Sequence, residues 1–339
     1  MASRVFHHPA LLRARWRTAL DIGGGGSGAS SLDELVPASA PAALLASGCG
    51  GPVLRLDGRW NELLQGLIGI GNIQVSVHHG EARQTAYGLL STAQLTAGGG
   101  WLYGPGLDLR VFFDRWAHGF AGLHDTDEGV QATLAFFDRS GQAVLGIRLG
   151  PHANTDAFSR LIYRHRHADQ RSCLLATQAS PLSAGCDQRA MAASDAVLHP
   201  LLRGEQPRRL EALRSAGPLA RAVDPQATVN LLRVIAERRD PLCWLGGNHG
   251  AALAFRGRAC RCLVEDDSVC LAGFGFIGQL QAQQIASAWV VQRQLDEHHR
   301  PLLELYDAGE RLIAALGGPQ NECPVWNALL LGLPAPGGH

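Results

Sequence analysis

The sequence carries no net charge, because 30 basic and 30 acidic side chains cancel. The basic residues form no dense patch with interleaved aromatics, which argues against a nucleic-acid backbone as partner. Charged residues are sparse altogether, at 18%. No stretch of about 18 apolar residues runs uninterrupted, so no helical membrane span is expected. The N-terminus, MASRVFHHPALLRARWRTAL, has basic residues but no apolar core ending in a small-residue cleavage site. It reads as a helix rather than a signal peptide, and the expected location is cytoplasmic. No CxxC pair occurs among the 8 cysteines, at positions 49, 173, 186, 243, 260, 262, 270 and 323. Cys260 and Cys262 are two apart, which on a strand places both on one face. Without secretion the expected state is buried free thiols, with a zinc site as the alternative. The glycine run Gly23–Ser31 lacks the Lys-Ser/Thr ending of a phosphate-binding loop and reads as a flexible loop.

What is present is length and pattern. At 339 residues the chain can form two domains with substantial cores. It is organised around Leu107–Leu149, which reads as strand, short helix or strand bend, acidic turn, strand, tight turn, strand. Leu107, Leu109, Val111 and Phe113 alternate with Asp108, Arg110 and Phe112, the period of a strand with one buried face. Asp138–Gln142 (DRSGQ) predicts a hairpin turn, with its glycine able to take positive φ. Arg110 is the unusual residue of this stretch. A guanidinium keeps its charge, so it either faces solvent or, on a buried face, needs an anion.

Upstream, helices are expected at Pro9–Leu20, Leu32–Ala46 and Trp60–Ile68, and strands at Val53–Leu56, Asn72–His78 and Ala86–Thr92. Downstream, helices at Asp156–Tyr163, Met191–Leu202, Arg208–Ser215 and Thr228–Arg238 precede strands at Leu242–Gly246, Ala251–Phe255, Cys260–Val264 and Val269–Phe276. A short helix at Gln281–Ala288, strands at Trp289–Gln294, Pro301–Tyr306 and Arg311–Leu316, and a helix at Val325–Leu331 complete the reading. The two sets repeat. Trp60-Asn61-Glu62-Leu63-Leu64 recurs as Val229-Asn230-Leu231-Leu232-Arg233, and His79-Gly80 as His249-Gly250. Trp116-Ala117-x-x-Phe120 recurs as Ile285-Ala286-x-x-Trp289, and Phe136-Phe137-Asp138 as Leu305-Tyr306-Asp307. An offset of 169 or 170 residues throughout predicts an internal duplication of a helix-then-sheet unit. The expected halves are 1–165 and 191–339, joined by a connection at 166–190.

Several of these stretches resemble one family. Leu107–Leu149, with its Asp-Leu-Arg, its Trp116 and Phe120 and its Phe-Phe-Asp-x-x-Gly-x-Ala, is similar to the bacterial hemin-degrading and hemin-transport proteins of the HemS/ChuS/PhuS type. So are Pro200–Val223, Gly246–Gly257 (GGNHGAALAFRG) and Ile285–Gly318. Order and spacing together make the likeness specific, from about Trp60 to Trp326. The resemblance implies an α+β fold of two helix-plus-antiparallel-sheet halves. It implies heme as ligand and a role in heme uptake, as a trafficking protein or as an aid to oxidative breakdown with an external electron donor. The implied partners are a heme ABC transporter or a downstream heme oxygenase. A degenerate paralogue that binds another planar ligand or a protein partner is the alternative.

The resemblance also implies a site. Arg110 matches the family's distal arginine, and Phe112 an aromatic on the same strand face. Arg209 matches an arginine that meets a propionate, Arg293 falls where the family usually has a lysine near the heme, and Phe276 matches a wall aromatic. The axial histidine of the family is absent, because its position falls on Ala196 or, with a gap, Val197. His199 lies three residues beyond Ala196, about one helical turn, and is the expected axial ligand, with Pro200 able to swing it away. His78, His79 and His249 are alternative ligands, and Cys323 could offer a thiolate. The family's C-terminal Tyr-Gly-x-Arg is replaced by Leu316-Gly317-Gly318-Pro319, and its first-half histidine is replaced near Arg83 and Gln84.

Overall fold

A computed structural model describes residue 49 and residues 53–80, 82–126, 129–171, 206–265, 267–295, 298–318 and 323–337. The helices expected at Pro9–Leu20, Leu32–Ala46 and Met191–Leu202, the Gly23–Ser31 run, Cys173 and Cys186 lie outside the described residues. The chain forms two compact units. The first comprises residues 1–76, 87–105 and 112–181, and the second residues 77–86, 106–111 and 182–339.

In the first unit, strand β1 (Val53–Arg55) precedes helix α1 (Trp60–Gln65). Strands β2 (Asn72–His79), β3 (Ala82–Leu89), β4 (Thr92–Leu95), β5 (Gly99–Gly104) and β6 (Leu107–Phe112) follow, in part outside this unit. A 3₁₀ turn at Phe113–Arg115 leads to β7 (His118–Thr126), β8 (Gly129–Phe137), β9 (Ala143–Leu149) and helix α2 (Thr155–Arg164). The strands pair antiparallel in the order β1, β7, β8, β9, β2. α1 buries Trp60, Leu63 and Leu64 and stops before Gly66, three residues short of the expected end. Its Trp60 meets Phe136 edge-on at 5.6 Å and Trp116 at 6.0 Å, forming an aromatic core. Asn154 caps α2 by accepting the Ala157 N–H at 2.9 Å, as a short polar side chain does at a helix start.

The second unit repeats this plan. Helix α3 (Gln206–Arg214), β10 (Ala220–Val223) and α4 (Pro225–Arg238) lead into β11 (Pro241–Gly247), β12 (Ala251–Glu265), β13 (Ser268–Gly273) and β14 (Phe276–Gln281). Then come β15 (Ser287–Leu295), β16 (His298–Tyr306), β17 (Leu312–Gly317) and α5 (Pro324–Leu331). The order β10, β15, β16, β17, β11 matches β1, β7, β8, β9, β2, each strand shifted by 169 residues or nearly so. The internal duplication read from the sequence is present in the fold. Two reciprocal pairings tie strands of both repeats together in this unit. Arg110 of β6 lies opposite Ala252 of β12, and Gln279 of β14 lies opposite Arg83 of β3. Positions 110 and 279, and positions 83 and 252, are each 169 apart.

Four expectations need correction. The strand expected at Ala86–Thr92 ends at Leu89, and Thr92 opens the next strand. Ala251–Phe255 and Cys260–Val264 are one continuous strand, because the intervening Arg256–Ala259 also pairs. Val269–Phe276 is a hairpin of two strands, turned at Gly275 with φ +70°. The helix expected at Gln281–Ala288 is only a 3₁₀ turn at Ala282–Gln284. The DRSGQ hairpin stands as read. Asp138 Oδ1 accepts from the Ser140 and Gln142 backbone N–H groups at 2.8 and 2.9 Å, and Gly141 takes φ +82°.

Candidate functional site

Arg110 is 3% exposed, so of its two readings the buried one holds. All six residues of β6 are buried, since both faces of this strand are covered. The anion that a buried guanidinium needs is supplied two residues back. Asp108 Oδ1 lies 3.2 Å from Arg110 Nη1, an ion pair without the alignment of a hydrogen bond. Asp108 Oδ2 accepts a hydrogen bond from Arg256 Nη1 at 2.5 Å.

Register shows what Arg110 faces. Partners across an antiparallel ladder share a face, as do residues two apart on one strand. Arg110 is opposite Ala252, Ala254 is opposite Leu245, and Leu245 is opposite Ala315. Ala315 is opposite Glu304, and Glu304 is opposite Trp289. One face of the sheet therefore carries Arg110 and Asp108 at one side and Glu304, Tyr306 and Trp289 at the other. Between them lies a floor of Gly247, Ala252, Ala254 and Ala315, small side chains set around Leu245. Four strand steps separate β6 from β16, about 19 Å at the usual spacing. Helix α3 covers this floor, its Leu210 and Leu213 packing with Leu245, Ala252, Ala254, Tyr306 and Ala315. Glu304 is 1% exposed, and the Tyr306 hydroxyl donates to its Oε2 at 2.6 Å. A buried carboxylate needs such a donor to be tolerated.

The other expected site residues divide. Arg293 lies on β15, two residues beyond Val291, and so at a register position on the Arg110 face. Arg209 lies on α3, the helix that covers this face. Phe276 is separated from them. It stacks on Phe255 at 4.3 Å and meets Trp244 at 5.8 Å, and both of these alternate to the opposite face of the sheet. Phe112 ends β6 as a buried residue of the first unit. His199, Ala196 and Val197 lie outside the described residues. Sequence reasoning missed Asp108, Arg256, Glu304 and Tyr306, because a lone charge on a strand reads as a solvent-facing one. It also passed over the absence of lysine. All 30 basic side chains are arginine, which favours planar, bidentate recognition of anions.

Among the alternative ligands, His79 lies beside a carboxylate. Its Nε2 lies 3.3 Å from Asp307 Oδ2. Burial pushes its pKa below the ordinary value, against the pull of Asp307. Burial works to raise the Asp307 carboxyl, but the Arg311 backbone N–H and guanidinium outweigh it and hold the group low. Asn248 Nδ2 donates to the His78 carbonyl at 3.0 Å. The cysteines do not follow the expectation of burial. Of the six described, Cys49 is buried, Cys260 is exposed and four are intermediate. Among the described residues no group of three or more His, Cys, Asp or Glu could hold a metal ion.

Comparison with known proteins gives this face its context. The family model for the haemin-degrading HemS/ChuX domain matches residues 40–165 and again 206–333. The hemin transport protein HemS of Yersinia enterocolitica is 25% identical over 282 residues, covering 79% of this chain and 81% of its own. The crystal structure of holo-PhuS, a heme-binding protein from Pseudomonas aeruginosa, is 25% identical with a TM-score of 0.79, covering 97% of this chain and all of that one. The heme degrading enzyme ChuS of Escherichia coli O157:H7 shares the fold, with a TM-score of 0.77 at 22% identity over 95% of this chain and 98% of its own. No helix among the described residues is long and apolar enough to cross a membrane.

Proposed function

Since the chain belongs to the haemin-degrading HemS/ChuX domain family, we propose that it binds heme on the α3-covered face of its second unit. The observation that carries this reading is the buried Arg110 at the edge of a floor made of Gly247, Ala252, Ala254 and Ala315. Leu210 and Leu213 of α3 rest on this floor, so a flat ligand would enter by displacing them, and apolar walls with a few placed polar groups suit a cofactor. Arg110 offers a fixed cation there. Arg293 and Arg209, which the family resemblance singles out, are the cations we assign to the two carboxylates of such a ligand. His199 is the proposed axial ligand, and His79 the next nitrogen donor in line. Heme, when bound, supplies an iron centre for oxygen chemistry, while the protein contributes binding, orientation and electrostatics. The role we propose is cytoplasmic heme handling, with transfer to a partner or assistance in oxidative breakdown. In this reading Arg110 brings a buried positive charge to the edge of the floor, and α3 excludes water from it.

Titration of the purified protein with ferric heme tests this. Saturable binding with a sharp Soret band is expected, displaced in His199→Ala. An absent band in the wild type would overturn the reading. An unchanged band and affinity in His199→Ala would move the ligand to His79 or His249. Aerobic incubation with a reductant, with and without catalase, then separates breakdown from transfer by loss or persistence of the Soret band.

A further inference from the structure

The last helix of each repeat starts at the same place in the plan, α2 at Thr155 and α5 at Pro324, which are 169 residues apart. Their outward faces differ. α2 exposes Asp156, Arg160 and Arg164, as a surface helix does. The counterparts of these three are Val325, Leu329 and Leu333. From Cys323 to Gly337 there is no charged side chain at all. α5 turns Trp326 and Leu330 inward, and the Trp326 indole donates to the Pro301 carbonyl at 2.8 Å. Its other side carries Val325, Ala328 and Leu331, all exposed, with Leu331 at 80%. Arg221 of β10 ties the end of this helix to the sheet by donating to the Leu330 and Leu333 carbonyls at 2.7 and 2.9 Å. Leu219, two residues before Arg221, is itself 51% exposed. A helix that is apolar all round belongs in an interior. An exposed apolar patch of this kind marks an interaction surface.

We propose that the outward face of α5 is a self-association surface, and that its occupant is α5 of a second copy of this chain. Charge selects the occupant. In a two-fold contact each residue lies close to its own copy, so a charge near the axis meets a like charge. α2 would set Arg160 and Arg164 against themselves, whereas α5 has no charge to repel. The same lack leaves nothing to pair with an acidic or a basic partner. α5 also lacks the basic polar face by which an amphipathic helix settles on a bilayer, and its one tryptophan is buried. At 8 residues the helix is about 12 Å long, so the contact is smaller than a standard interface and the dimer is a weak one.

Sedimentation velocity of the full chain over about 1–500 μM tests this. The average mass is expected to rise from one chain to two and to level there, with a midpoint on the order of 10–100 μM. Leu331→Arg should weaken the dimer by about tenfold or more, because it sets like charges face to face, while a cation suits a helix C-terminus and keeps the fold. Ala328→Arg, on the same side of the helix, should do the same and decides if Leu331→Arg fails to fold. Arg160→Ala on α2 should leave the midpoint unchanged. Raising salt from about 0.1 to 1 M should preserve the dimer, since apolar contacts are not screened. A mass of one chain at every concentration would overturn the proposal, as would a dimer that survives both arginine substitutions or dissolves in salt. So would a mass that climbs past two chains without levelling, because an open-ended contact is not two-fold.

Discussion

The two repeats share a backbone plan and place their bulk in different corners. In the first, Trp60, Trp116 and Phe136 form the aromatic core; their counterparts 169 residues on are Val229, Ile285 and Leu305. In the second, Trp244, Phe255 and Phe276 cluster, where the first has Val75, Ala86 and Leu107. The glycines follow the bulk. A Cβ on Gly119 would sit 2.6 Å from the Trp60 ring, and its counterpart opposite the smaller Val229 position is Ala288. A Cβ on Gly278 would sit 3.0 Å from Trp244, and its counterpart, where Val75 replaces the tryptophan, is Leu109. A duplicated core therefore conserves filled volume, not residue type, as close packing demands. The floor of the candidate site differs between the repeats too. Gly247, Ala252 and Ala254 correspond to His78, Arg83 and Thr85, while Glu304 corresponds to Ala135. Polar and apolar positions are exchanged between the two faces.

Substitutions break this comparison in graded steps. The largest effect is expected from Trp60→Ala, which removes the centre of the aromatic core at a cost of about 3–5 kcal/mol, against about 1 kcal/mol for Val229→Ala. Urea unfolding of the two variants checks it, and equal losses would mean the cores are not organised differently. Tyr306→Phe comes next. It makes the second repeat like the first, where Phe137 stands, but takes a donor from the buried Glu304. A loss of about 1.5–3 kcal/mol is expected in the same assay.

Volume exchange gives a smaller, sharper test. Gly278→Leu alone overpacks against Trp244 and should cost about 1–3 kcal/mol. Combined with Trp244→Val, which restores the first repeat's pairing, the loss should fall short of the sum by about 1 kcal/mol. Strict additivity would show that the two positions do not share one space. Turn chemistry is weaker still. Gly141 takes φ +82°, while its counterpart Glu310 takes φ +59°. Gly141→Ala should destabilise by about 1 kcal/mol, while Glu310→Gly should gain less, since it also loses the exposed ion pair to Arg214. Thermal melts resolve both.

The smallest expected effect is one of pH. Burial, opposed by Asp307, lowers the pKa of His79 from 6.5, and burial with Arg55, opposed by Asp138, lowers that of His118. The unfolded chain then binds more protons than the folded one in this range. The stability contribution is fully present above pH 6.5 and is lost as pH falls from there through the folded values. Unfolding free energy measured between pH 7.5 and about pH 5 should decline, and His79→Asn should flatten part of that decline. An identical slope in the variant would exclude His79 as a contributor.

Much of the fold was legible because the repeat is written twice. The DRSGQ turn and the strands flanking it follow from local chemistry, whereas the helix expected from Thr228 starts at Pro225, behind the cap Asp224. β6 was harder. Its alternation suggested one solvent face, yet Arg110 and Asp108 are buried because β12 pairs along its edge and both faces are covered. β12 was cut in two because Arg256, Gly257 and Arg258 look like a loop, although the ladder with β11 carries them. Of the candidate site, Arg110 was singled out by its type and company. Its partners Asp108 and Arg256 were not, since they are 148 residues apart.

The sequence by itself determined the duplication, the antiparallel hairpins and the family, because these rest on spacing and on turn chemistry within a few residues. Tertiary structure alone decided which face of the sheet is which. It sent Phe276 into an aromatic core behind the floor, and it set Arg110 in front, beside a carboxylate shared with Arg256. The physical reason is register. A strand presents both of its faces equally until its neighbours choose one, and those neighbours come from more than a hundred residues away.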